Sequence, residues 1–561
     1  MARAKKIREE GEPQQDRSDF TVVAMFALAL TLAAFAWFSE RGDILLYGDA
    51  VAHINIARRL TDARELGTFQ LGTVWLPLPH LLIAPFVAID GLWRSGVGGS
   101  IPSMVAYVLG VAGIFQLVRA RASRAAAALA AGIYALNPSL LYMQATAMTE
   151  SIFLAAVIWS VYYFDSYLRG LSSEPRGETS PLPSWRALER CALCLAAAIF
   201  TRYDGWILAF IVGMCAMWVA VRWLRRDPPR REARRLLRSL ISALLLLALC
   251  PALWLAHNYE INRRPLDWLN GPYSARAIEK RTTQPGAPPY PGKQNVVVAA
   301  EYFLKAARMN TGEGWREYLL IVLAAAGVLT LLKHGRRYAA FILLLVPLPF
   351  YAWSIAYGSV PIFVPEWWPF SYYNVRYGLE LLPAIAAFAS LPLWVAEGLE
   401  RPKLVPATAA ALWLCVLVAY ASSVMGSSPR AHQREWERRW MIPICYREAY
   451  ANSRSRLQLE KQLAAALGNL PSDATIMMYT SDYVGALQLA GIPLQHVTSE
   501  SSGIFWEAAL SAPFASADYV VAVAGDPVDE AVRSNPRGLT LLAVYHTFGK
   551  PAVRLYHSSR R

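Results

Sequence analysis

Charged side chains are scarce in this sequence: Asp, Glu, Lys and Arg make up 17% of its 561 residues, whereas hydrophobic residues make up 55%. A soluble chain of this length carries roughly 25% charge, so such scarcity excludes a soluble globular protein and leaves a polytopic α-helical membrane protein. Cysteine is sparse too. Cys191, Cys194, Cys215, Cys250 and Cys415 fall within hydrophobic runs, where a small thiol packs like any apolar group, and only Cys445 reads as water-accessible. Cys191-x-x-Cys194 has redox or metal spacing, but its setting is apolar and no second pair exists, so it reads as packing. Acidic residues number 41 against 55 basic ones, a net charge of +14. The basic excess recurs in clusters between hydrophobic runs, as in cytoplasmic loops, and not on one face, which excludes a nucleic-acid partner.

Those clusters set the topology. Arg3, Lys5, Lys6 and Arg8 precede the apolar run Phe20–Phe38 and place a tail of residues 1–19 in the cytoplasm. Ala34-Phe35-Ala36 looks like a processing site and makes a cleaved signal peptide the competing reading, but the run is longer than a signal core. In the first outer loop, a helix over Ala50–Glu65 would put Asp49 and His53 on one face, beside an apolar stripe of Val51, Ile54, Ala57 and Leu60, lying along the membrane surface. The apolar run from Thr73 to Trp93 is predicted to be a second helix, half-sunk in the outer leaflet. As a full crossing it would carry Arg119, Arg121 and Arg124 outside. The remaining runs make about eleven crossings in all over residues 20–424. Their inner loops include Ser172–Ser184, Arg225–Arg231, Lys333–Arg337 and Glu400–Lys403. Residues 425–561 then lie outside as a small α/β domain. Its strand candidates are Thr475–Tyr479, Gln495–Thr498 and Tyr519–Ala524, with a terminal hairpin of Leu541–His546 and Ala552–His557 and helix candidates Ser453–Leu467, Asp482–Leu489 and Phe505–Leu510. It has no Gly-rich phosphate loop, which argues against nucleotide binding.

This topology gathers the ionisable candidates on one side. Asp49 and Glu150 reach the same outer face, and Thr201-Arg202-Tyr203-Asp204-Gly205-Trp206 stands at the outer end of a crossing, where ionisable residues are costly. A structural Arg202–Asp204 pair is the bland alternative there, as helix capping is for Asp49. The long outer loop His257–Glu317, with Arg263 and Arg264, reads as a lid able to order over an anionic substrate, or as a plain surface loop. The segment Pro361–Tyr377 is an aromatic interfacial belt holding Arg376, whose guanidinium matches a phosphate headgroup bidentately. Asp49, His53 and Glu150 offer oxygen and nitrogen ligands to a divalent ion, but three ligands from two loops are a weak signal, so no metal or other cofactor is taken as required.

Taken in order, Gly48-Asp49, Pro77-Leu78-Pro79, Thr149-Glu150, Thr201-Arg202-Tyr203-Asp204-Gly205 and Arg376-Tyr377 with Leu381-Leu382-Pro383 resemble the polytopic glycosyltransferases of GT-C fold, near the protein O-mannosyltransferase and lipid A aminoarabinose transferase group. The resemblance spans about residues 15–425 and rests on the order and sidedness of short motifs. It implies a bacterial-type plasma-membrane enzyme that moves a sugar from a polyprenyl-phosphate donor to an extracytoplasmic acceptor. Asp49 would be the catalytic base and Glu150 the second acid. The donor phosphate would lie with Arg376, Arg202, Arg263 and Arg264, and His53, Asp204 and Tyr377 would be supporting groups. Relatives often carry Asp-Glu at the first site, whereas Ala50 follows Asp49 here. A transporter or flippase of lipid-linked sugars is the alternative, although the acids cluster at one face and no internal repeat is visible.

Overall fold

The computed structural model describes residues 2–171, 183–399, 404–425, 442–481 and 483–559. Residues 172–182 of the loop expected at Ser172–Ser184, the cluster at 400–403, residues 426–441 and Asp482 lie outside the described residues. By contacts the chain divides into two compact units. One comprises Met1–Trp37, Ser103–Gln144 and Thr149–Glu448; the other comprises Phe38–Pro102, Ala145–Met148 and Ala449–Arg561. This division differs from the linear one into tail, membrane domain and carboxyl-terminal domain, because the first outer loop and the carboxyl-terminal part share a unit.

The first unit is helical. Among the described residues of the chain, eight helices are long and apolar enough to cross a membrane, so the chain is a multi-pass membrane protein. The other expected crossings are the shorter helices Arg124–Ala135, Ser184–Ile199 and Leu319–His334. Burial sorts the spans. Glu150–Leu171 and Val375–Glu397 are 78% and 83% buried, against 17% and 22% for Ser18–Ser39 and Leu404–Ala421. The first pair is therefore central, and the second presents the apolar surface that lipid would cover. Close approach at the centre depends on small residues: a Cβ added at Gly327 would lie 1.9 Å from the Phe388 carbonyl oxygen.

The loop His257–Glu317 is more structured than its polarity predicts. It contains the helices Asp267–Asn270, Ala275–Thr282 and Val296–Met309. Its Pro-rich stretch is held where the Tyr290 hydroxyl donates to the Ile355 carbonyl at 2.8 Å and Lys293 pairs with Glu279 at 2.6 Å.

In the second unit, the helix around Asp49 runs over Gly48–Arg59 and not Ala50–Glu65. At its end the Arg58 carbonyl accepts from the Thr61 and Asp62 amides, both at 3.0 Å, and from the Thr61 hydroxyl, and the Asp62 carboxylate accepts from the Leu494 and Gln495 amides. The predicted stripe residues Val51, Ile54 and Ala57 are buried in protein. The helix Pro77–Val87 buries His80, Ile83 and Val87 but leaves Leu81 and Leu82 exposed, an apolar outer side that suits half-immersion in a leaflet.

The sheet of this unit has the order β2-β1-β3-β5-β4, where β1 is Ile476–Met478, β2 Val497–Thr498, β3 Tyr519–Val523, β4 Leu539–Tyr545 and β5 Val553–Ser558. The strand β1 runs parallel to β2 and β3, and β5 is antiparallel to β3 and β4. Every predicted strand is present. The helix Pro527–Ser534 is an addition; its start is written in the sequence, since Asp526 accepts from the Asp529 amide at 2.6 Å and Pro527 occupies the first helical position.

Candidate active site

Glu150 is the first residue of its helix, Asp204 the first of Asp204–Leu224, and Arg376 the second of the turn Val375–Leu381 that leads into Leu382–Glu397. Carboxylates at helix starts face the positive end of the helix dipole, which offsets part of the cost of burying them. Arg202 lies between two helices with its guanidinium among these acids: Nη1 is 3.5 Å from Glu150, and Nε is 3.6 Å from Asp204 and 3.3 Å from Glu380. It donates to the Tyr351 hydroxyl at 2.6 Å and to Thr149 at 3.3 Å. Burial works against the charge on Arg202, but Tyr351, Glu380, Asp204 and Glu150 outweigh it and hold the guanidinium protonated well above the ordinary arginine range.

Arg376 completes the array. Its Nε lies 3.2 Å from Glu150 and its Nη1 3.5 Å from Glu448, whose other oxygen accepts from the Arg376 amide at 3.2 Å. The Tyr377 ring lies 5.0 Å from the Arg202 guanidinium and 5.1 Å from that of Arg376, so one aromatic ring serves both cations. Glu150 is therefore a bridge between two arginines, fully buried, and not a water-facing acid. The bland Arg202–Asp204 pair exists, but only as one contact in a larger network. Arg263 and Arg264 are not buried with this cluster: both are exposed, and Arg263 lies over Tyr259 of its own helix.

Glu380 and Glu448 were missed from sequence. Glu380 had a signal, a lone carboxylate in a strongly apolar run four residues after Arg376. Glu448 had none, because the polar sequence around it looks like ordinary surface.

The segment carrying Arg376 is fixed from several sides. Asn374 adopts a left-handed conformation and donates to the Pro361 carbonyl, and Asn310 donates to the Val375 carbonyl at 2.9 Å. At Gly378 an added Cβ would lie 2.4 Å from the Ala306 backbone, where nothing can move aside cheaply. We expect Gly378→Ala to cost about 1–3 kcal/mol of stability by overpacking. Thermal unfolding of purified protein checks this, and an unchanged midpoint would refute it.

Asp49 and His53 belong to the second unit. The N-cap of the Asp49 helix is Tyr47, so Asp49 is not the cap; it sits in the first turn, partly exposed, where the dipole favours a carboxylate. His53 is buried, with Nδ1 2.8 Å from His80 Nε2 and its ring against Trp75. Burial first, then His53 and Arg59, hold the His80 imidazole well below its ordinary range. Among the described residues no three His, Cys, Asp or Glu side chains are grouped to hold a metal ion, including Asp49, His53 and Glu150.

The fold is that of the GT-C class of membrane glycosyltransferases. Residues 102–266 match the sequence profile of the dolichyl-phosphate-mannose-protein mannosyltransferase family. The chain is similar in structure to ArnT from Cupriavidus metallidurans, solved bound to undecaprenyl phosphate, with TM-score 0.53 and 14% identity over 95% of this chain and 97% of that one. The protein O-mannosyltransferase Pmt1-Pmt2 complex of S. cerevisiae matches at TM-score 0.33 and 15% identity, over 49% of this chain and 38% of that one. The oligosaccharyltransferase of Archaeoglobus fulgidus matches at TM-score 0.46 and 11% identity, over 90% and 69%. No curated protein is matched in sequence. The family profile and the fold together indicate a glycosyltransferase.

Proposed function

We propose that this protein transfers a sugar from a polyprenyl-phosphate donor to an acceptor on the extracytoplasmic side of a bacterial-type plasma membrane, with its amino terminus in the cytoplasm. The observation that carries the reading is the pair of largely enclosed arginines, Arg202 and Arg376, tied together through the buried Glu150 at the ends of apolar helices. An apolar interior does not keep two guanidiniums without a use for them. A guanidinium has five N–H donors, so one already oriented by a carboxylate retains capacity for a phosphate. The donor brings its own phosphate leaving group, and the enzyme must stabilise the charge that develops there and remove a proton from the acceptor hydroxyl. Arg202 and Arg376 serve the phosphate, with Glu150, Glu380 and Glu448 orienting them. Asp49 takes the proton. A single displacement of this kind inverts the anomeric centre, and no cofactor is required.

The test uses detergent-solubilised protein, a polyprenyl-phosphate sugar and cell-envelope acceptors. A glycosylated product formed with no membrane to cross supports the transferase. Donor binding without any product in detergent would instead favour a flippase.

A further inference from the structure

Within the second unit, a small pocket lies between the end of the Asp49 helix and the turn following β2. Arg59 and Arg64 line one side, and Thr480, Ser499, Ser501 and Ser502 line the other. The space is small and open to solvent on one side, so what it can seat is a single charged group with the rest of the ligand outside. Two guanidiniums give it the chemistry of an oxyanion site; Thr480 already donates to Glu500 and Ser502 to the Val497 carbonyl, while Ser499 and Ser501 share one bond and so keep one hydroxyl hydrogen between them.

Arg59 shows that the site lacks a partner. Its Nε is buried without a hydrogen bond, and its Nη2 reaches only the Gln70 carbonyl, at 3.4 Å. A buried donor left unmade is costly, and a guanidinium more so than a neutral group. Burial lowers the proton affinity of Arg59, and Glu500 restores part of it. Glu500 does not fill the site, because its two oxygens accept from the Thr480 amide and hydroxyl, both at 2.9 Å, and burial, the largest influence on it, pushes its carboxyl up. Arg64 is held in place by a bond to the Thr498 hydroxyl and by stacking 4.5 Å from the Phe505 ring. Stacking uses the face of a guanidinium and leaves its edge for an anion.

We propose that this pocket binds a phosphate or carboxylate carried on a saccharide. Resting on the transferase reading above, that saccharide is the acceptor. Asp49 and Arg59 stand at opposite ends of one helix, and ten residues of helix put them about 15 Å apart along its axis. Such a span lets a glycan seat its anionic group in the pocket while a hydroxyl one or two sugars away reaches the acid.

The test is calorimetric titration of full-length protein in nanodiscs with glucose 6-phosphate, glucuronate, inorganic phosphate and glucose. Glucose 6-phosphate and glucuronate are expected to bind and glucose not to bind. Arg59→Gln and Arg64→Gln should each weaken binding by at least about tenfold. Arg64 is exposed, so Arg64→Gln is the variant least at risk of misfolding; an unaltered ligand-free unfolding midpoint qualifies either variant. Inorganic phosphate binding as tightly as glucose 6-phosphate would identify a free-anion site and overturn the saccharide. Failure of the anionic sugars to bind, or equal binding by both variants, would overturn the site itself. None of these readouts needs turnover, so they stand apart from the test of the transferase.

Discussion

Asp49→Asn is expected to lower turnover by at least about a hundredfold while donor binding stays within about twofold of the wild type. The amide keeps the size and planarity of the carboxylate but cannot accept the acceptor's proton. Asp49 is only partly buried, in the first turn of Gly48–Arg59, so the change leaves the packed side of the helix, Val51, Ile54 and Ala57, untouched. Losing the charge that the helix dipole favours should cost about 0.3–1 kcal/mol of stability, far too little to account for a hundredfold loss of turnover. Turnover is measured with purified protein and polyprenyl-phosphate sugar, and donor affinity separately. Turnover at the wild-type rate would remove Asp49 from the chemistry. Loss of donor affinity with turnover at saturation intact would make it a binding residue.

Arg202→Ala is expected to show the opposite pattern, a loss of stability together with function. It strands two buried carboxylates, on Asp204 and Glu380, that this guanidinium approaches within 3.6 Å, and leaves Glu150 with Arg376 alone. Removing one partner of a buried ion pair costs about 3–5 kcal/mol, mostly because the remaining charge is left without compensation. Stranded carboxylates are relieved by protonation, so the deficit should narrow toward about pH 5 and widen toward about pH 8. Unfolding midpoints of variant and wild type across that range test it. A deficit independent of pH would mean that the lost contacts of the guanidinium with the Phe153 and Tyr377 rings, not the stranded carboxylates, dominate. Arg202→Lys should recover part of the stability but little of the donor affinity, since an ammonium cannot reproduce the planar fork.

Much of the candidate site was legible because the membrane makes polar residues conspicuous. Arg202, Asp204 and Arg376 stood out against long apolar runs, and the structure brings all three into one cluster with Glu150 and Tyr377. Arg263 and Arg264 looked similar by charge alone, but they come from a polar loop, where a cation carries no cost and so no information about use. Glu448 and His80 were unreadable for a related reason. The partner of each is remote in sequence: His80 meets His53 across 27 positions and Glu448 meets Arg376 across 72, and neither spacing has a local period to betray it.

Composition and charge patterning by themselves determined the polytopic class, the basic clusters between apolar runs and the strands of the carboxyl-terminal sheet. Those properties follow from the solvent each residue meets, and lipid and water sort side chains locally along the chain. Tertiary structure alone decided that the first outer loop and the carboxyl-terminal strands share one compact unit, that Glu150 bridges two arginines, and that Arg59 and Arg64 face three serines more than 430 positions away. Such juxtapositions depend on which distant surfaces pack together. Short-range preferences do not encode that choice, because the energy selecting it comes from burying whole faces at once.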